Sequence, residues 1–385
     1  MAQEVAVLDF GSGKITVLIG QRGVNNTITI NGLGESDYAG YAGGEFYQPE
    51  QLSYAIAHAI SNAETNSQTK ITHLYIGVPS DFSSVMCKDV SISFGRRRRV
   101  KEQDVKELHD QGMDFDEKVY TLVNCQPVYY SLDDGRRLID PIGLSTTKIS
   151  GCISYILAEN SFIMSIDTIM NSLGITSVEY ISNTLSESLF LFDAVTRDRF
   201  AVLIDVGFIT TTVAVVRGDG ILSQHSFALG GGNITGDLAM HFGTTFAVAE
   251  TLKRKVALSL DHSDSDVYEV ASRNENLKFN AKEVNNIVTA RIAVIAKTIE
   301  KCLKMCEYEY PDSIAYSLTG GGLSYMRGAK EILSKLLARK VEIIQPKQPQ
   351  LNSPHLSSSL GLIDMAINAM QPQKKKGFFA KLFGK

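Results

Sequence analysis

Two aspartates each end an apolar, β-prone run and are followed by one residue and a glycine. Asp9 stands in Val5-Ala6-Val7-Leu8-Asp9-Phe10-Gly11, and Asp205 in Ala201-Val202-Leu203-Ile204-Asp205-Val206-Gly207. A carboxylate at a strand end is a hard oxygen ligand suited to hydrated Mg²⁺, so Asp9 and Asp205 are the candidate metal residues, acting through water. Glycine in the adjoining turn lets backbone N–H groups approach an anion. Hydroxyls beside the turns, Ser12 in the first and Thr210 and Thr211 in the second, can donate to phosphate oxygens. The chemistry this suggests is a grip on the phosphates of a nucleotide. No residue stands out as a general base for activating water.

Each phrase runs on into a second β-prone stretch, residues 15–19 and 212–216. A strand, a tight glycine turn and a returning strand make a β-hairpin. The two hairpins lie 196 positions apart, which suggests a duplicated core that holds phosphates from both sides. Two more glycine turns join them. Gly230-Gly231-Gly232 precedes a helix starting near Ile234, and Gly320-Gly321-Gly322 follows a strand at 314–318. One such turn is weak evidence, because any sharp turn can use glycine. A triplet at a helix start offers N–H groups and the positive helix end to a phosphate.

The elements that must position these residues read as follows. A strand is expected at 26–33, a helix at 50–64 with apolar spacing at Leu52, Ile56, Ala59 and Ile60, and a strand at 73–79. Residues 81–159 break the pattern, with strand-like pieces around a helix at 102–111, and read as an inserted α+β module. Helix, strand and helix follow at 161–173, 177–181 and 182–193. Long helical patterns cover 246–258 and 281–306, with short strands expected in the polar stretch 261–280, and a last helix at 359–370. The division predicted is a first lobe from 1–80 and 160–200, an insert at 81–159, and a second lobe at 201–370 with its own subdomain at 242–310. A tail occupies 371–385.

Composition limits the alternatives. The 385 residues are too many for one ordinary domain, so two lobes are expected. A formal net charge of −4 argues against nucleic acid as a partner. No apolar run is long enough to span a bilayer, and the N-terminus reads as a strand rather than a signal peptide. The five cysteines are scattered without a C-x-x-C, which fits reduced cytoplasmic thiols. Cys302 and Cys306 share a helix face without further ligands, so packing is expected there rather than zinc. Tyr308, Tyr310 and Tyr316 are likewise expected to pack.

With these motifs in place, the chain resembles the actin-like ATPases and, within them, the bacterial division FtsA family, from about residue 5 onward. The first phosphate motif of that class matches Leu8-Asp9-Phe10-Gly11-Ser12-Gly13-Lys14, and the second matches Ile204-Asp205-Val206-Gly207. The adenosine motif matches Leu318-Thr319-Gly320-Gly321-Gly322-Leu323. The glycine loop and its helix match Gly230-Gly231-Gly232-Asn233 and the residues to Ala239. Residues 100–105 and 140–144 resemble the FtsA insert. Glu250 and Lys253 match a helix that reaches the ribose and the base. The resemblance implies duplicated ribonuclease-H-like cores with ATP and Mg²⁺ between them. It also implies head-to-tail filaments and attachment of the tubulin-like protein FtsZ through 242–310. The expected location is the cytoplasmic face of the membrane at the division site. The match departs at the second hairpin, where Phe208 and Ile209 replace small residues and Thr212 replaces an Asp. A bulky side chain competes with a terminal phosphate, so altered nucleotide binding with little or no hydrolysis is expected.

The tail carries a second signal. Lys374, Lys375, Lys376, Lys381 and Lys385 surround Phe378, Phe379, Leu382 and Phe383, which fall in one arc of a helix. That composition suits an interfacial helix on an anionic leaflet; the plainer reading is a basic tail folded back on the body. Each lysine near such a surface adds about 1 kcal/mol, while ordering the tail costs about 1–2 kcal/mol per residue. One tail binds weakly, and many tails on a filament bind strongly. The connector at 371–373 keeps the body within about 20 Å of lipid. Arg96, Arg97, Arg98 and Arg99 offer either an acidic contact or a solvated strand end. Two other functions share this superfold: a small-molecule kinase, and an FtsA-like pilus-assembly scaffold that binds a peptide instead of lipid.

Overall fold

The structure, a computed structural model, describes residues 4–272, 276–349 and 351–370. The predicted tail residues Lys374 to Phe383 therefore lie outside the described residues.

Two five-stranded sheets form the centres of the two lobes. The first contains Val5–Phe10, Lys14–Arg22, Ile28–Asp37, His73–Val78 and Ser177–Ser182. The second contains Ala201–Val206, Thr211–Arg217, Gly220–Phe227, Tyr316–Thr319 and Val341–Ile343. Numbered along the chain within each lobe, both sheets run in the order 3-2-1-4-5. In both, strand 1 is antiparallel to strand 2 and parallel to strand 4. The registers coincide as well. Phe10 pairs with Ile15 and Asp9 with Thr16, while Val206 pairs with Thr211 and Asp205 with Thr212. Every pair in the second hairpin is the first hairpin's pair displaced by 196 positions, so the repeated phrase is a repeated structure.

Helices cover these sheets with the apolar faces that their spacing predicts. Pro at the first position opens Pro49–Ser67, which buries Leu52, Ala55, Ile56, Ala59, Ile60 and Ala63. Ala281–Lys304 is capped by the Asn280 side chain, which accepts from Glu283 N–H at 2.9 Å. Its buried stripe, Val284, Val288, Ile292, Ile295 and Ile299, runs through the core of the second lobe. The polar stretch before it folds as the hairpin Val267–Ala271 and Asn276–Asn280. The insert is a four-stranded sheet of Ser83–Arg99, Ser145–Glu159, Tyr120–Leu132 and Arg137–Leu138 with the helix Glu102–Gln111 against it. Within its arginine run, Arg98 makes a bidentate pair with Asp104 at 2.7 and 2.8 Å, and Arg97 pairs with Asp133 at 2.9 Å. Cys302 is buried in the second core and Cys306 packs against it.

The expected second lobe, 201–370, needs one correction. The last helix, Ser357–Met370, crosses back and packs on the first sheet. Its Leu360, Leu362, Ile363, Ala366 and Ile367 join Val5, Val7, Leu18, Tyr75 and Ile181 in one buried cluster. The reason is burial: the first sheet has two apolar faces, and this helix covers one of them. Around the lobe junction, Arg197 donates to the carbonyls of Gly218 and Phe192 and pairs with Asp219 at 2.6 Å.

Candidate functional site

Between the lobes lies a cleft of about 1150 Å³. Both hairpin turns face it, and so do the two aspartates. Asp9 is buried and accepts three hydrogen bonds: Asn183 Nδ2 at 2.8 Å, Ser358 Oγ at 3.0 Å and Ser359 Oγ at 2.6 Å. Burial pushes its carboxyl up, and those three bonds pull it partly back. Asp205 is raised to about 7, first by burial and then by the Asp9 charge. The turn at Gly320 abuts it: φ there is +81°, and a Cβ would lie 2.0 Å from Asp205 Oδ1, so only glycine fits.

A third carboxyl joins them. Glu187, on the helix Asn183–Leu191, lines the cleft at 3% exposure. Its pKa is raised well above the usual range by burial, then by Asp205 and Asp9. Burial raises all three, and the Asp9 and Asp205 charges add to the rise of Glu187, so the acids do not ionise independently. Sequence reasoning missed Glu187. A signal existed: Asn183, Thr184, Ser186, Glu187 and Ser188 are too many polar residues for one solvent face of a nine-residue helix, and all are buried.

The donor chemistry fits a hydrated cation. Hard carboxylate oxygens converge, and no basic side chain contributes to the shift of any of the three. Among the described residues no group of three or more acids, histidines or cysteines is arranged to ligate a metal directly. A cation here would be held through its water.

Of the predicted nucleotide residues, Gly11, Ser12, Gly13, Lys14, Gly207, Thr210, Glu250, Lys253, Gly320, Gly321 and Gly322 line the cleft with the two aspartates. Six others do not. Leu323 is buried in the second core at 1% exposure, because the chain turns inward after the third glycine. Thr211 turns away to donate to the Leu229 carbonyl at 2.6 Å. Gly230, Gly231, Gly232 and Asn233 sit behind the wall. The N–H of Gly230 donates to Asn233 Oδ1 (2.8 Å), that of Gly231 to Gly207 O (2.9 Å) and that of Gly232 to Phe208 O (2.7 Å). The triplet's donors are thus spent on holding the helix Gly231–Phe242 against the second turn, not presented to a ligand.

Phe208 explains that arrangement. Its ring lies over Gly232 and Gly13, where added Cβ atoms would come within 3.1 and 2.9 Å of it. Phe246 meets it edge-on at 6.1 Å, and Lys253 Nζ stands 5.8 Å from its centroid. Lys253 is buried and donates to Gly231 O (3.1 Å) and Thr235 Oγ1 (3.0 Å), besides pairing with Glu250 at 2.6 Å. Burial lowers its pKa, and the Glu250 bond offsets part of that. Burial pushes Glu250 up, but bonds from Lys253, Thr235 and Arg254 outweigh it and leave it lowered. Tyr325, Met326 and His355 line the cleft too, with Tyr325 Oη 2.6 Å from His355 Nδ1.

The family described as "Cell division protein FtsA" matches residues 202–361. Cell division protein FtsA of Neisseria meningitidis is 23% identical, covering 97% of this chain and 93% of the relative. That of Bacillus subtilis is 22% identical, covering 96% and 85%. Among solved structures, the chain is similar to the PilM-PilN type IV pilus biogenesis complex, with TM-score 0.63 and 14% identity, covering 95% of this chain and 99% of that one. It is also similar to MreB 5 of Spiroplasma citri bound to AMPPNP, with TM-score 0.54 and 10% identity, covering 94% and 96%. The fold is actin-like.

Proposed function

From the likeness of this chain to the FtsA cell division proteins, we propose that it serves division as a nucleotide-binding, filament-forming membrane tether for FtsZ. The observation that carries the nucleotide reading is the pair of register-matched hairpins, whose Asp9 and Asp205 face one cleft. In this reading Asp9 and Asp205 hold the water shell of Mg²⁺, which supplies charge neutralisation to the phosphates. The backbone N–H groups of Ser12 and Gly13 in the first turn contact the phosphates, Glu250 and Lys253 the sugar and base, and Gly320 to Gly322 the adenosine. The sequence offers no residue that stands out as a general base, in line with a structural rather than hydrolytic role for the nucleotide.

Membrane attachment rests on the sequence of the tail, whose phenylalanines and lysines suit an anionic surface. The actin-like fold supports head-to-tail assembly, a heterologous contact that leaves filaments open. Among the described residues no helix is long and apolar enough to cross a membrane, so attachment would be peripheral. FtsZ would dock on the subdomain of Phe246–Lys255, the Val267–Ala271 hairpin and the helix Ala281–Lys304.

The test is electron microscopy of the purified chain on lipid monolayers, with and without adenine nucleotide. Filaments that require an anionic monolayer are the expected result; their absence under every condition counts against the reading. The likeness to the PilM-PilN complex favours one second reading, a scaffold that binds a peptide of a membrane partner. Pelleting with anionic liposomes separates the two, since only the tether needs the tail for lipid.

A further inference from the structure

The two phosphate turns match in register but not in the state of their N–H donors. In the second turn the N–H groups of Phe208, Ile209 and Thr210 converge on a single atom, Ser12 Oγ, at 3.1, 3.0 and 3.4 Å. Three N–H groups on one oxygen form a concave anion receptor. Here it holds a neutral hydroxyl that is 6% exposed and comes from the opposite lobe. In the first turn, among the described residues, the N–H groups of Ser12 and Gly13 donate to no acceptor. The Phe208 ring fills the gap beside the plugged receptor and lies on Gly13 and Gly232. One turn is open to phosphate and the other is closed by the protein itself.

We propose that Phe208 and the Ser12 hydroxyl set the length of the phosphate chain that the cleft accepts, so that it takes a nucleoside diphosphate in preference to a triphosphate. This rests on the nucleotide reading of the cleft. The first turn receives phosphate oxygens through its open donors. An additional terminal phosphate must reach the second turn, and there it has to displace both the Ser12 hydroxyl and the ring. Phe246 and Lys253 hold the ring on its outer side, which opposes that displacement.

The experiment is isothermal titration calorimetry of the full chain with Mg²⁺ and either ADP or AMPPNP, which avoids turnover. The expected result is ADP binding at least tenfold tighter than AMPPNP. In Phe208→Gly the preference should shrink at least tenfold through tighter AMPPNP binding, with ADP affinity changed less than threefold; Phe208→Ala gives the same reading if the glycine variant folds poorly. Ser12→Ala should also tighten AMPPNP, because it uncovers the three donors. Equal affinity of the unaltered chain for the two nucleotides, or tighter AMPPNP binding, overturns the proposal and leaves the nucleotide cleft standing. A Phe208→Gly effect of the same size on both ligands overturns it too. If neither nucleotide binds the unaltered chain or the variants, the nucleotide reading fails together with it.

Discussion

Asparagine at position 205 keeps the shape of the side chain and removes its charge. Asp205 is raised to about 7 in the fold by burial and by Asp9, whereas an unfolded chain releases that proton near 4. Between about pH 4 and pH 7 the folded protein therefore holds a proton that the unfolded chain has lost. Stability falls as pH rises through that window. At about 1.4 kcal/mol per pH unit the gap sets a bound of ~4 kcal/mol. The side chain opens onto the cleft, where solvent screens it, and about 2 kcal/mol is the figure expected. Asp205→Asn should thus exceed the unaltered protein by about 2 kcal/mol at pH 8 without nucleotide, and the two should converge towards pH 4. Urea unfolding at unit pH steps reads this directly, with unchanged m-values as the check that the denatured state is the same. A variant less stable at pH 8, or a difference that does not vary with pH, refutes the reasoning. In the same variant, binding of a Mg²⁺–nucleotide complex should weaken at least tenfold, which separates what the residue costs the fold from what it does for the ligand.

Burial holds His109 down at about 4, next to Tyr130 Oη at 2.6 Å and the Cys125 thiol at 3.3 Å. Its contribution is complete above about pH 6.5 and lost as pH falls to 4, so His109→Asn should cost about 2 kcal/mol at pH 7.5 and progressively less on acidification; a constant deficit across a pH series of melts counts against this. Arg197→Ala leaves the Gly218 and Phe192 carbonyls and Asp219 without their shared partner, and should lower stability by about 3 kcal/mol in denaturant titrations. Ile292→Ala opens a cavity in the largest core, where Ile292 is fully buried, and should cost about 3 kcal/mol with the fold retained by circular dichroism. Ending the chain at Met370 should abolish pelleting with anionic vesicles and leave the unfolding midpoint unchanged; equal pelleting of both chains contradicts the membrane reading.

The residues that were readable in the sequence are those whose role is local. Asp9 and Asp205 end strands whose hairpins pair one for one at the predicted offset, and the helix Glu102–Gln111 of the insert spans the residues expected. Strand alternation and turn glycines act over a few residues, and a linear pattern records them. The third strand Gly220–Phe227 and the helix Ala329–Leu336 were not read, nor was Val341–Ile343, whose three residues leave little periodicity. What depends on tertiary placement was also hidden. A glycine triplet before a helix looks the same whether its N–H groups face a ligand or, as here, the carbonyls of Gly207 and Phe208. Leu323 follows three cleft glycines but points into the core. Glu187 needed the knowledge that its helix lies between two sheets. Phe208 was legible as a departure from the family pattern, and its reach across to Gly13 was not.

The return of Ser357–Met370 to the first lobe joins two ends of the protein that the chain order keeps apart. Ser358 and Ser359, in its first turn, grip Asp9 at the floor of the cleft, and its last turn releases the polypeptide towards residue 371. Any pull transmitted through Met370 would therefore act on a helix of about four turns whose other end is bonded to the Asp9 carboxylate of the cleft. A displacement of Asp9 in the cleft and a pull from beyond Met370 would thus bear on the same helix.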